Sequence, residues 1–119
     1  MKKVYYLSTC STCSRILKEW DLDESYTLQD IKKDLITADQ VDQMIKMAGS
    51  ASAIFSKRSM KYRAMGLHEK ELSENEMRNL ILEEYTFLKR PVLIIDDAIF
   101  VGNSKKTVAA AKAEIDAKR

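Results

Sequence analysis

The residues best suited to chemistry are Cys10 and Cys13, the only two cysteines of a 119-residue chain, set in the stretch YYLSTCSTCSRILKEW. Two thiols three positions apart can close a disulfide, supply half of a metal site, or stand as an inert pair. Zinc takes about four ligands, as two such pairs or as one pair with histidines. This chain has a single histidine, His68, and no third cysteine, so no metal is expected. Inert thiols stay open, because free cysteine is often a small core residue. The redox alternative rests on the thiolate, the reactive form, which helix N-terminal N–H groups and the positive end of the dipole favour. Cys10 precedes a helical pattern and Cys13 falls in its first turn. That makes Cys10 the expected nucleophile and Cys13 the resolving thiol, with Arg15 close enough in sequence to add positive potential.

The elements around the pair follow from periodicity and caps. KVYYL at 3–7 is β-branched and aromatic, and reads as a buried strand broken by Ser8 and Thr9. Ile16, Leu17 and Trp20 follow at helical spacing, so the cysteines lie where a strand becomes a helix. SYTLQDI at 25–31 can hold a second, shorter strand. Thr37 and Gln40 form a capping box before Val41, Met44, Ile45 and Ala48, and Gly49 ends that helix. A short helix is expected from Ser59 to Met65 with Gly66 as its stop. Ser73 and Glu76 open another, with Met77, Leu80 and Ile81, then Glu84 and Leu88, on related faces. RPVLIIDDAIFVGN reads as a hairpin turning at Asp96 and Asp97. From Ser104 an alanine-rich helix places Val108, Ala111 and Ile115 inward. The methionines read as packing.

Hydrophobic residues make up 45% of the chain and charged ones 32%, a balance expected of one folded domain, 1–119, and not of a disordered segment. The net charge of +2 gives no ground for direct nucleic-acid binding. The basic run at Lys57, Arg58, Lys61 and Arg63 reads first as solvated helix charge and alternatively as an anion-attracting patch. No apolar stretch approaches the roughly 18 residues of a membrane span, and the apolar start is too short for a signal peptide. A cytoplasmic location is expected, where thiols stay reduced and a close cysteine pair is more often catalytic or redox-sensing than structural. The element order, β-α-β, a helical middle, then β-β-α, is the thioredoxin arrangement with helices inserted between its halves.

With those elements in place the chain resembles the arsenate reductase (ArsC)/Spx family. The resemblance is carried by CSTCSR at 10–15, DIKKDLIT at 30–37, RSMKYRAMGL at 58–67 and LKRPVLIIDDAIFVGN at 88–103. It implies an α/β, thioredoxin/glutaredoxin-like fold, a mixed four-stranded sheet with a helical insertion at about 37–88. In the arsenate reductases of this group the residue at the Cys10 position attacks an oxyanion whose charge arginines hold. One family arginine falls on Arg90. The mid-chain one aligns near Ser56, so that Lys57 or Arg58 would substitute, and the third falls on uncharged Asn103. Pro91 resembles the fold's proline with a cis preceding bond. No bound cofactor is implied, and electrons would come from glutathione and glutaredoxin or from thioredoxin. The second cysteine resembles the Spx branch, which also has an arginine at the Arg58 position. Those proteins sense disulfide stress by closing the pair, and act by binding RNA polymerase. Two functions are therefore expected to compete. One is a thiol–disulfide oxidoreductase acting on a small-molecule or protein thiol or disulfide. The other is a redox-sensing regulator.

Overall fold

A computed structural model describes residues 1–119. The strands are β1 (Lys2–Tyr6), β2 (Thr27–Asp30), β3 (Val92–Ile95) and β4 (Ala98–Val101). The helices are α1 (Ser11–Trp20), α2 (Ala38–Ala48), α3 (Met60–Ala64), α4 (Glu74–Glu83) and α5 (Lys105–Ala117). The expected mixed sheet forms in the order β2-β1-β3-β4. β1 runs parallel to β2, with Tyr6 opposite Asp30, and antiparallel to β3, with Val4 opposite Leu93. β3 and β4 form the hairpin, with Ile95 opposite Ala98. Asp96 makes its turn at a φ of 51°, a left-handed conformation that Asp tolerates better than most side chains.

Contacts gather the chain into two units, Met1–Leu35 with Arg90–Arg119, and Ile36–Lys89. The first is the sheet unit. Its core joins Val4, Leu93 and Ile95 of the sheet to Ile16 and Trp20 of α1 and to Val108, Ala111 and Ile115 of α5. This is the inward face that the helical spacing implied. Trp20 fixes the two helices to each other, its indole N–H donating to the Val108 carbonyl at 3.2 Å. The carbonyl of Trp20 in turn accepts from Lys112 on α5 and from Arg119 just beyond its end. One end of α1 is thus held by packing and hydrogen bonds, and the cysteines stand at the other.

The second unit is helical. α2 and α4 each begin with a complete capping box, Thr37 with Gln40 and Ser73 with Glu76. Gly49, at a φ of 99°, closes α2 in the conformation that glycine adopts most easily. A bidentate ion pair between Arg78 and Asp42 ties α4 to α2.

Two expectations need correction. α4 ends at Glu83, so Glu84 and Leu88 do not continue its face. Glu84 turns extended and its carboxylate takes the Thr86 hydroxyl and Lys61, starting a 3-10 turn at Tyr85–Phe87. Leu88 instead bridges to Phe55. The methionines also divide: Met44 and Met77 are buried, whereas Met60 is 91% exposed and Met65 48%. The reason is that α3 buries none of its residues.

Candidate functional site

The cysteines lie where β1 gives way to α1. Leu7 follows the strand, and the Cys10 N–H donates to its carbonyl at 3.0 Å, closing a four-residue turn over Ser8 and Thr9. The strand therefore stops one residue earlier than its apolar pattern suggests. Cys10 becomes the N-cap of α1, with an extended backbone (φ −95°, ψ 113°). Its carbonyl accepts the Ser14 N–H at 3.1 Å, the first bond of the helix.

An N-cap is normally Ser, Thr, Asp or Asn, whose oxygen accepts from the second or third helical N–H. A neutral thiol is a poor acceptor, and no side-chain cap bond forms here. The thiolate fits the position better. Burial pushes the Cys10 thiol up, but the N–H and thiol of Cys13, the N–H of Thr12 and the Arg90 guanidinium together bring it below its ordinary value. Thr12 and Cys13 occupy the second and third helical positions, so the stabilising N–H groups are those a cap side chain would take. The positive end of the helix dipole acts in the same direction.

Cys13 has the opposite character. It is wholly buried on the inner face of α1, in line with Ile16 and Trp20. Burial pushes its thiol up to about 11; the Leu7 N–H lowers it, the charge of Cys10 raises it further, and Arg90 lowers it. Both cysteines are free thiols, Cys10 partly exposed and Cys13 not. An accessible sulfur with a depressed pKa beside a buried, protonated one is the arrangement of an attacking and a resolving thiol.

The other candidate residues fall in different places. Arg90, distant in sequence, acts on both sulfurs. Pro91 is buried, its preceding peptide bond is cis, and its carbonyl accepts the Gly102 N–H at 3.0 Å. Arg15 is exposed on α1, and the cation acting most on Cys10 is Arg90. Arg58 belongs to the helical unit, exposed in the turn before α3, where its N–H donates to Ser56 Oγ at 3.3 Å. Sequence reading anticipated N–H groups of the helix start at Cys10 without singling out Thr12, and missed the backbone of Leu7. The helix-start position of Cys10 was a usable signal for Thr12; nothing local pointed to the Leu7 N–H.

Comparison with known proteins matches the model of the ArsC family to residues 5–111. A relative named global transcriptional regulator Spx 2, from Bacillus anthracis, is 29% identical over 106 residues, 86% of this chain and 79% of that protein. A crystal structure described as a possible arsenate reductase, from Streptococcus mutans, is 30% identical with a TM-score of 0.68, over 88% of this chain and 92% of the other. An arsenate reductase from Vibrio cholerae superposes with a TM-score of 0.74 at 13% identity, over 92% of this chain and 95% of the other. That last likeness speaks for the fold alone.

Proposed function

Because the chain belongs to the ArsC family, we propose that it is a thiol–disulfide oxidoreductase in which Cys10 attacks and Cys13 resolves. The observation that carries this reading is the contrast between the two thiols, Cys10 lowered and accessible, Cys13 buried and raised to about 11. The Cys10 thiolate attacks one sulfur of a disulfide, and the displaced sulfur leaves as a thiolate. Cys10 is then held in a mixed disulfide and its negative charge is gone. One of the influences that keeps Cys13 protonated goes with it. Cys13 loses its proton to solvent, attacks the Cys10 sulfur and releases the second substrate thiolate. Two electrons have passed to the substrate, and the protein holds a Cys10–Cys13 disulfide. Two thiol equivalents, from glutathione with glutaredoxin or from a thioredoxin dithiol, return it to the reduced state and leave as a disulfide.

Arg90 favours the Cys10 thiolate in this scheme and is the natural contact for an anionic substrate, because a guanidinium presents several fixed donors. The mid-chain family arginine aligns near Ser56, so Lys57 or Arg58 would substitute in a related anion-binding role, and Arg15 adds charge on the same helix as the thiols. Arsenate reduction is a narrower version of the reading, weakened by uncharged Asn103 at the third arginine position.

A second reading is favoured by the relatives named as Spx regulators. Here the pair closes once on oxidation and changes affinity for a macromolecular partner, RNA polymerase being the one the resemblance implies. Redox titration with free-thiol counting is the deciding experiment. A clean two-electron transition between about −180 and −300 mV is expected for a cytosolic dithiol. Many turnovers with a reductant then support the enzyme, and a single oxidation that alters polymerase binding supports the regulator. Thiols that never pair under mild oxidation overturn both.

A further inference from the structure

The turn between β1 and α1 is short, and its stiffness decides where both sulfurs stand. Leu7 serves it twice, its carbonyl taking the Cys10 N–H at 3.0 Å and its own N–H pointing at the Cys13 sulfur. Ser8 and Thr9 lie inside the turn, both exposed to solvent. What holds Ser8 is Asp30, twenty-two positions away, at the end of β2. Because β1 and β2 run parallel with Tyr6 opposite Asp30, the two strands end at the same edge, and the carboxylate reaches across to the turn.

The contact is specific. Asp30 Oδ1 accepts the Ser8 N–H at 3.3 Å and the Lys32 N–H at 3.2 Å, joining the two strand ends through one oxygen. Its second oxygen, Oδ2, is shut off from solvent. The Ser8 hydroxyl acts on the carboxyl most strongly, with burial opposing it, and the group lies below the usual carboxylate range. The backbone at Asp30 is itself held, Ile31 N–H to Tyr6 at 2.9 Å and Asp34 N–H to the Asp30 carbonyl at 2.8 Å. A charged acceptor on a rigid strand end is therefore bonded to the one segment that sets the N-cap geometry of Cys10. Charge-assisted bonds of this kind are about twice as strong as neutral ones.

We propose that Asp30 is a positioning residue for the Cys10–Cys13 pair, its carboxylate clamping Ser8 so that the Leu7–Cys10 turn presents both sulfurs to the start of α1. The inference deepens the oxidoreductase reading and rests on it. Asp30 touches neither sulfur; it acts through the turn.

The test is the pH profile of Cys10 alkylation by iodoacetamide on the full reduced chain, resolved by site with mass spectrometry, beside a melting curve for each variant. D30A removes the acceptor. Its Cys10 midpoint is expected to move up and its alkylation at neutral pH to slow several-fold, because the thiolate no longer sits squarely on the Thr12 and Cys13 N–H groups. D30N keeps an oxygen for the Ser8 N–H, and S8A keeps that N–H, so both are expected to move less than D30A. A D30A chain that melts lower with its Cys10 midpoint unmoved reveals a merely structural residue and overturns the proposal. Should D30A not fold, D30N and S8A carry the test, and unmoved midpoints in both overturn it equally. Redox titration of the parent chain separates the two ideas. If the parent pair never closes, the oxidoreductase reading fails; if it closes and the variants are unmoved, only the role of Asp30 fails.

Discussion

Helices α1 and α4 are both ten residues long and begin in opposite ways. α4 starts on Ser73, whose oxygen takes the Glu76 N–H while Glu76 returns a bond to the Ser73 N–H. α1 starts on Cys10, whose sulfur makes no cap bond as a thiol. In α4 one first-turn N–H, that of Glu76, is taken by the cap oxygen, which stabilises the helix. In α1 the corresponding N–H, that of Cys13, is left for the Cys10 thiolate. The two starts differ at the cap, Ser73 against Cys10, and three residues on, Glu76 against Cys13.

The comparison breaks most visibly at Cys10 itself. Cys10→Ser gives α1 an ordinary cap oxygen, without the returning carboxylate that Glu76 supplies in α4. Disulfide closure is expected to vanish completely in a thiol count after mild oxidation. The melting temperature is expected to rise, in line with a cap worth about 0.5–1 kcal/mol. A Ser variant that still cycles would remove Cys10 from the chemistry.

The far end of α1 is the next test. Trp20→Ala deletes a buried side chain from the core and its bond to Val108, and a loss of about 3–5 kcal/mol is expected by denaturant unfolding. Its effect on Cys10 reactivity below the unfolding transition should be small by comparison, because the cap geometry is set at the opposite end.

Arg90→Gln sharpens the electrostatic side. The guanidinium lowers both thiols, so its removal should move the Cys10 alkylation midpoint up and slow the reaction several-fold at neutral pH. An unchanged profile would leave the helix N–H groups as the whole cause. At α4 the matching substitution, Ser73→Ala, is expected to cost about 1 kcal/mol and leave the Cys10 midpoint where it is.

The smallest effect is in the pH dependence of stability. Cys13 is raised in the folded chain to about 11, so its contribution is whole below the ordinary thiol pKa and is lost as pH rises from there through about 11. Cys10 is lowered, so its contribution is present above the ordinary thiol pKa and is lost as pH falls through the folded value. Melting curves of the parent and Cys13→Ala should converge as pH rises above 9. Tyr5 and Tyr26, both raised by burial, weaken the fold over nearby pH in each chain and cancel in the difference.

Much of this was legible in the sequence where the interaction is local. The boxes at Thr37 and Ser73 are three-residue patterns, and both form. The inward residues of α5 and the Asp96 hairpin turn follow from spacing and turn chemistry in the same way. The end of α4 was not legible, since continuing the helical period to Leu88 was reasonable until Glu84 found Thr86 and Lys61. Met60 and Met65 were misread because hydrophobicity says nothing about whether a five-residue helix has anything to pack on.

The site divides along the same line. From the sequence alone came the pair, its spacing and its place at a helix start, because those are properties of four consecutive residues. Family resemblance singled out Arg90 and Pro91. Only the tertiary structure decided that Leu7 faces the Cys13 sulfur, and that Arg90, just ahead of β3, and Asp30, at the end of β2, both reach this corner. Those facts depend on strand order and register. Parallel pairing of β1 with β2 and antiparallel pairing of β1 with β3 bring groups separated by tens of residues to one edge, and no periodicity along the chain records which edge that is.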